Sequence, residues 1–262
     1  MKKLLVLGLG LCACVASAGL TFDSGKAVGF STVALTSDYT ILTVPFADCL
    51  TGGEIALDKL VSTSGLTGSN DAAAADQLIV FADGTYSYYY LNADNAWTAL
   101  KGVVAGADTT ELPPAIAEQK LAKGYGVWLK KQNATSAVQL KGRVADGQET
   151  IIATGMNLIG NGYPTALDLN AVKWPSDVSQ DEILVAAPAA DDPTAAGSYL
   201  TYRMNGGKWM KRTLDKSGKI PGTNIPLTKE VWSEIDPIPA GSGFWYRRVG
   251  ESFTFDPGKT VN

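Results

Sequence analysis

Histidine is absent from all 262 residues of this chain. Its absence excludes Ser-His-Asp and Cys-His triads, His-ligated zinc and the usual proton shuttle at neutral pH. No Gly-x-Ser-x-Gly, Ser-x-x-Lys or Walker-type phosphate loop occurs either, so the familiar hydrolase and nucleotide-binding designs have nothing to build on. Paired carboxylates stay open, because glycoside hydrolysis needs only two well-placed acids. Asp58 and Asp168 recur in similar segments, yet no spacing selects a pair, and a short polar residue closing a turn or capping a helix explains both. A protein without catalytic residues is the expectation.

Cysteine is nearly absent as well, with Cys12, Cys14 and Cys49 the whole complement. Residues 1–18 combine a basic start at Lys2 and Lys3, an apolar run from Leu4 to Val15 and the small-x-small stop Ala16-Ser17-Ala18. That is the pattern of a secretory signal peptide, cleaved after Ala18. An alternative makes Leu11-Cys12-Ala13-Cys14 a lipobox with the lipid on Cys14. Either way the mature chain is expected outside the cytoplasm, secreted, periplasmic or on the cell surface. Cleavage leaves Cys49 alone, so no intramolecular disulfide forms and packing alone must stabilise the fold. Among apolar and acidic neighbours, Cys49 is expected as a small buried residue.

Long apolar runs are missing beyond the signal, which excludes a helical membrane span. Basic excess is missing too: without Lys2 and Lys3, 20 basic residues face 26 acidic ones, a net charge of −6. Phosphate backbones need a basic face, so nucleic acid is excluded as a partner. With 45% apolar and 18% charged residues, the chain has the composition of an ordinary folded protein.

What is present is a repetition. Residues 124–131 read GYGVWLKK and residues 241–248 read GSGFWYRR, one pattern of Gly-x-Gly-apolar-Trp-apolar-basic-basic written twice. Around it, Thr40-Ile41-Leu42 matches Thr150-Ile151-Ile152 and Ala56-Leu57-Asp58 matches Ala166-Leu167-Asp168, both at an offset of 110. Asp76-Gln77-Leu78-Ile79-Val80 matches Asp181-Glu182-Ile183-Leu184-Val185, and Tyr89 with Trp97 matches Tyr202 with Trp209. Matches in one order with drifting offsets indicate a duplicated unit of about 110 residues. Two homologous tandem lobes are expected, residues 19–136 and 137–262, after the signal at 1–18.

Short runs rich in Tyr, Val and Thr between Gly, Asn, Asp and Pro clusters predict an all-β fold, sandwich-like in each lobe. Strands are predicted at 27–35, 39–46, 77–82, 86–91, 96–100, 125–131 and 137–144, then at 150–160, 182–186, 199–204, 208–213, 243–249 and 252–256. Ala82-Asp83-Gly84-Thr85 and Asn205-Gly206-Gly207-Lys208 carry hairpin-turn residues. Each lobe is allowed at most one short helix, at 54–61 and at its counterpart 166–172.

Strand alternation puts Val127, Leu129 and Lys131 on one face and Trp128 with Lys130 on the other; Phe244, Tyr246 and Arg248 oppose Trp245 and Arg247 in the same way. One face supplies core residues, and each Trp has a cation two residues along that is expected to lie against the indole. The glycines relieve crowding where the strand enters from a turn. A rival role for Trp128 and Trp245 is a stacking platform for sugars. A ligand site is more economically placed among features unshared by the two copies: Trp174 before Pro175, the loop Asp191-Asp192-Pro193, the basic run from Lys208 to Lys216, and Trp232. The candidate surface site is Trp174, Tyr202, Trp209 and Arg212. No cofactor is expected. Calcium could be held by loop oxygens at Asp94-Asn95, Asp191-Asp192 or Asn161, although none has a defined ligand spacing, and Asn133-Ala134-Thr135 matches a glycosylation sequon.

The segments Asn157-Leu158-Ile159-Gly160-Asn161-Gly162-Tyr163-Pro164 and Pro239-Ala240-Gly241-Ser242-Gly243-Phe244-Trp245-Tyr246 resemble a module found in exported proteins of the Verrucomicrobia and, more loosely, in surface proteins of Bacteroidetes. Gly162 departs from that pattern, which has Pro there. The resemblance implies a secreted β-module without an assigned activity. The expected function is thus a non-catalytic secreted or cell-surface structural or interaction protein that binds a protein partner or itself at the envelope; the alternative is a carbohydrate-binding module using exposed Trp and Tyr.

Overall fold

Alternation along the two tryptophan strands decides the architecture. Val127 and Leu129 are fully buried in one core and Phe244 and Tyr246 in another, while Trp128 and Trp245 project from the opposite faces toward each other's half. The computed structural model describes residues 27–35, 38–82, 85–100, 103–104, 107–108, 113–132, 137–144, 147, 149–163, 165–186, 199–219 and 226–258. The signal segment 1–18, Cys12 and Cys14, the turn residues Asp83 and Gly84, the sequon and the 191–193 loop lie outside them.

The fold is all-β. The first half contains β1 (Val28–Ala34), β2 (Tyr39–Thr43), β3 (Ile55–Ala56), a single-turn helix α1 (Leu57–Leu60), β4 (Gln77–Ala82), β5 (Thr85–Leu91), β6 (Trp97–Leu100), β7 (Val103–Val104), β8 (Ala107–Asp108), β9 (Lys120–Leu121), β10 (Gly126–Lys130) and β11 (Ala137–Arg143). The second contains β12 (Thr150–Ile152), β13 (Gly155–Gly160), β14 (Glu182–Ala186), β15 (Tyr199–Asn205), β16 (Lys208–Lys219), β17 (Pro226–Ser233), β18 (Gly243–Arg248) and β19 (Phe253–Phe255). Among the described residues no helix is long and apolar enough to cross a membrane.

One antiparallel sheet runs β2-β10-β4-β5-β6 and the other β13-β18-β14-β15-β16-β17. The orders correspond strand for strand, with β17 added at the end of the second. The strands that bracket each half pair with one another, β1 with β11 and β12 with β19, and each ribbon packs over one face of its sheet. Each half is thus a sandwich of unequal layers. Strand β11 sends Val138 and Leu140 into the first core, so the packing boundary falls after residue 144 rather than at 136.

Pairing also corrects the sequence register. Ile41 faces Trp128 and Leu158 faces Trp245, so β2 corresponds to β13 at an offset of 117, not to 150–152 at 110. The predicted strand 150–160 is broken at Gly155, whose φ is +100°, and the Asn157 carboxamide bridges back to the Ala153 backbone across the kink. The pair Ile55–Leu121 is matched by Leu167–Ile238, which puts Leu57 and Leu60 opposite Leu169 and Val172 in the two cores. The offset there is 112, so Asp58 and Asp168 are not equivalent. The helix expected at 166–172 is a turn instead, closed by the Asn170 N–H donating to Asp168 Oδ1 at 2.8 Å. Cys49 is exposed rather than buried, because it follows Asp48 in a turn where that carboxylate accepts the Leu50 and Thr51 N–H groups.

The halves join through a reciprocal pair of bridges. The Thr43 N–H donates to Gly241 O at 2.8 Å and the Gly160 N–H to Gly124 O at 3.0 Å; each atom of one bond has its counterpart 117 residues away in the other. Gly124 and Gly241 hold positive φ (+93° and +74°), which side chains resist. Gly126 and Gly243 answer a different need. A Cβ on Gly126 would stand 2.7 Å from Leu158 Cγ, and one on Gly243 would overlap Ile41 Cγ2 and lie 3.0 Å from the Ile159 carbonyl oxygen. Both glycines let a strand of one half approach the other half closely, β10 against β13 and β18 against β2. Gly243→Ala should therefore destabilise the protein by about 1–3 kcal/mol, against about 0.5 kcal/mol or less for Gly53→Ala, whose Cβ would meet only Thr51 Oγ1 at 3.7 Å. Urea midpoints measure both, and equal effects would contradict the close approach.

Candidate functional site

The two tryptophans meet at this junction. Ile41, Leu158 and Trp245 form its buried centre, with Phe81, Tyr86, Trp128 and Leu184 packed around them. Trp245 is only 6% exposed and carries the Phe81 ring edge-on at 5.1 Å, whereas Trp128 is half-buried. Register explains the difference. Trp128 pairs with Ile79 and Trp245 with Leu184; two residues further along these strands stand Phe81 and Ala186. A ring covers one indole, and a methyl group occupies the equivalent position for the other.

The result is an open cleft of about 300 Å³ over Trp128, lined from the first half by Tyr39, Ile79, Tyr86 and Tyr88 and from the second by Tyr199 and Trp245. Tyr39 and Tyr199 stand nearly perpendicular to the Trp128 ring, at 81° and 80° with centroids 6.3 and 6.4 Å away. Burial raises the pKa of the Tyr199 phenol, against a hydrogen bond from the Trp245 indole that lowers it and the Tyr86 ring's charge that adds to it; burial, then Tyr88, raises that of Tyr86. These phenols stay protonated donors well past neutrality. The cations do not lie on the indoles as expected. Lys130 sits over the Tyr39 ring at 5.8 Å, and Arg247 is drawn to Glu182 at 2.7 Å, a carboxylate it shares with Arg203.

The residues proposed from sequence as a surface site are mainly structural. Trp209 is 1% exposed and Tyr202 5%, both in the second core, where they match Trp97 and Tyr89 in the first. Their strand positions face the core ribbon, so both rings are mainly part of the core. Trp174 is half-buried; it stacks on Phe255 at 5.1 Å and Tyr246 at 5.7 Å, and its indole N–H donates to Leu169 O at 2.7 Å. Together Trp174 and Trp209 wall a groove of about 580 Å³ toward Lys208 and Pro175. Arg212 lies on the opposite face of its sheet and pairs with Glu230 at 2.9 Å, so it does not join the other three. Of the loop oxygens, Asn161 Oδ1 accepts the Tyr163 N–H and its amide donates to Thr165 O. Among the described residues no group of three or more His, Cys, Asp and Glu lies together.

A buried charge constellation had gone unnoticed in the sequence. Asp76 and Asp181 are both fully buried, and Oδ1 of each accepts the N–H of the residue just past its tryptophan strand, Gln132 at 2.6 Å and Val249 at 2.8 Å. The shared Asp of the two Asp-Gln/Glu-apolar segments was the available signal. In the second half the motif's last cation turns inward: Arg248 donates to Asp181 at 2.7 Å and to Asp177 at 2.6 Å, and Tyr246 donates to Asp181 at 2.6 Å. Burial works against the Arg248 cation, but the bonds and charges of the two aspartates outweigh it and hold its pKa above the usual arginine value. Burial first, then Asp181, pushes the Tyr246 phenol strongly upward. This cluster is a strand clamp, with Arg248 and Asp181 buried and Asp177 at the exposed end.

Comparison with protein-family models, curated proteins and solved structures yields no match.

Removing one member of the clamp strands the other charge. Arg248→Met should cost about 3–5 kcal/mol, while Asp76→Asn, which loses only neutral donors, should cost about 1–3 kcal/mol. Chemical denaturation gives both values, and a reversed order would contradict the assignment.

Proposed function

We propose that this chain is a non-catalytic interaction protein of the bacterial exterior, secreted or surface-held, that engages its partner through the aromatic cleft at the junction of its two sheets. The single observation carrying this reading is the half-covered Trp128, walled by Tyr39 and Tyr199 from opposite halves. Aromatic rings gathered in a concave opening are the usual anchors of recognition, since they bury large area at small entropic cost. Among the described residues that line it, the only groups able to move a proton are the tyrosine phenols, and no carboxylate, thiol or lysine stands with them. Export rests on residues 1–18, and the likeness to exported β-modules agrees with it.

The test is retention of the protein by isolated bacterial envelopes. The mature chain should bind saturably, Trp128→Ala should weaken binding at least tenfold in a variant that still unfolds cooperatively above the assay temperature, and mass spectrometry should find no released product. Undiminished binding by the variant, or release of cleaved envelope material, would refute the proposal.

A further inference from the structure

The cleft's chemistry can be read one step further, on the footing of the interaction reading above. Three kinds of small occupant suit a pocket of aromatic rings: an organic cation, a wholly apolar molecule, and a sugar. The volume of about 300 Å³ sits at the lower end for small-molecule sites and limits the occupant to one ring or so at a time.

An organic cation is disfavoured by the charge already in place. Aromatic cages for quaternary ammonium groups gather π-faces around an otherwise cation-free centre. Here the Lys130 ammonium lies 5.8 Å from the Tyr39 ring, and no acid is among the described residues that line the cleft to offset a second positive charge. A wholly apolar occupant is disfavoured by the phenols. Tyrosines from both halves line the cleft, and covering their hydroxyls with hydrocarbon would strip water from them without replacing its hydrogen bonds.

A pyranose meets both constraints. One side of the ring is a patch of C–H groups that lies flat on an indole, and its rim carries hydroxyls that both donate and accept. The nearly perpendicular Tyr39 and Tyr199 stand where walls around a ring on Trp128 would be, with Tyr88 on the neighbouring strand β5. We infer that the cleft is a saccharide-binding site, holding one sugar ring of a glycan against Trp128 between Tyr39 and Tyr199, and that it exists because Ala186 stands where the other half has Phe81.

The broken equivalence supplies the test. Ala186→Phe places over Trp128 the ring that Phe81 already places over Trp245, so the fold has a precedent for it. Calorimetric titration of the intact protein would use short cello-, chito- and galacturono-oligosaccharides, with choline and indole as the cationic and apolar probes. At least one oligosaccharide series should bind, Ala186→Phe should weaken it at least tenfold, and Tyr88→Phe or Tyr199→Phe, which keep the ring, should each weaken it about three- to tenfold, as loss of one net hydrogen bond does. Saccharide binding untouched by Ala186→Phe and by both tyrosine variants would move the site elsewhere and overturn the inference. Binding of choline or indole in the cleft, sensitive to Ala186→Phe but without any oligosaccharide, would overturn the sugar assignment and leave the interaction reading standing. Failure of every probe, with envelope retention intact, would likewise reject the sugar.

Discussion

The close approach of two backbones at the middle of the molecule governs nearly everything else. Gly126 and Gly243 bring β10 and β18 against the other half's β13 and β2, and the N–H groups of Thr43 and Gly160 cross that line in opposite directions. A methyl group at either glycine would force the facing Leu158 or Ile41 side chain to shift. Because both bonds use equivalent atoms, the contact is isologous in the sense of a symmetric dimer, except that one chain supplies both sides. Trp128 and Trp245 are then placed on facing surfaces by strand alternation alone.

From this contact follows a division of labour between shared and unshared residues. Shared ones hold the fold: the glycines, the tryptophans, Asp76 and Asp181 clamping the strand ends, Tyr89 with Trp97 and Tyr202 with Trp209 filling the cores. Unshared ones shape the surface. Phe81 against Ala186 leaves one indole covered and its counterpart open, and Lys131 donates to the Leu35 carbonyl where Arg248 turns inward to form an ion pair with Asp181. A pair of tolerable substitutions in otherwise equivalent frames suffices to make a cleft on one side only.

Much of this was legible in the chain. The Gly-x-Gly-apolar-Trp spacing announced a strand entered from a strained turn, and period-two alternation told core residues from the tryptophans, because both depend on local backbone geometry. Register was less legible: the kink ahead of Gly155 splits β12 from β13, so Ile41 was matched to Ile151 when it answers Leu158, although the matches of Asp76 with Asp181 and of Trp128 with Trp245 hold. Strand β17 was missed because Pro226–Ser233 mixes charge and apolar residues at an edge, where only its pairing with β16 defines it. Where Arg247 and Lys130 would point was not legible either, since their partners Glu182 and Tyr39 come from strands distant in sequence. The cleft itself needs the register to be seen, because Ala186 is unremarkable until it is set against Phe81.

Native-state hydrogen exchange at the amides of Thr43 and Gly160 tests the central contact most directly. If the two sheets are held as one body by reciprocal bonds at a glycine-lined approach, both amides exchange only through global unfolding, with equal free energies that match the denaturant-derived stability. If either exchanges through a local opening of much lower free energy while its own sheet stays protected, the halves separate independently and the account of the junction is wrong.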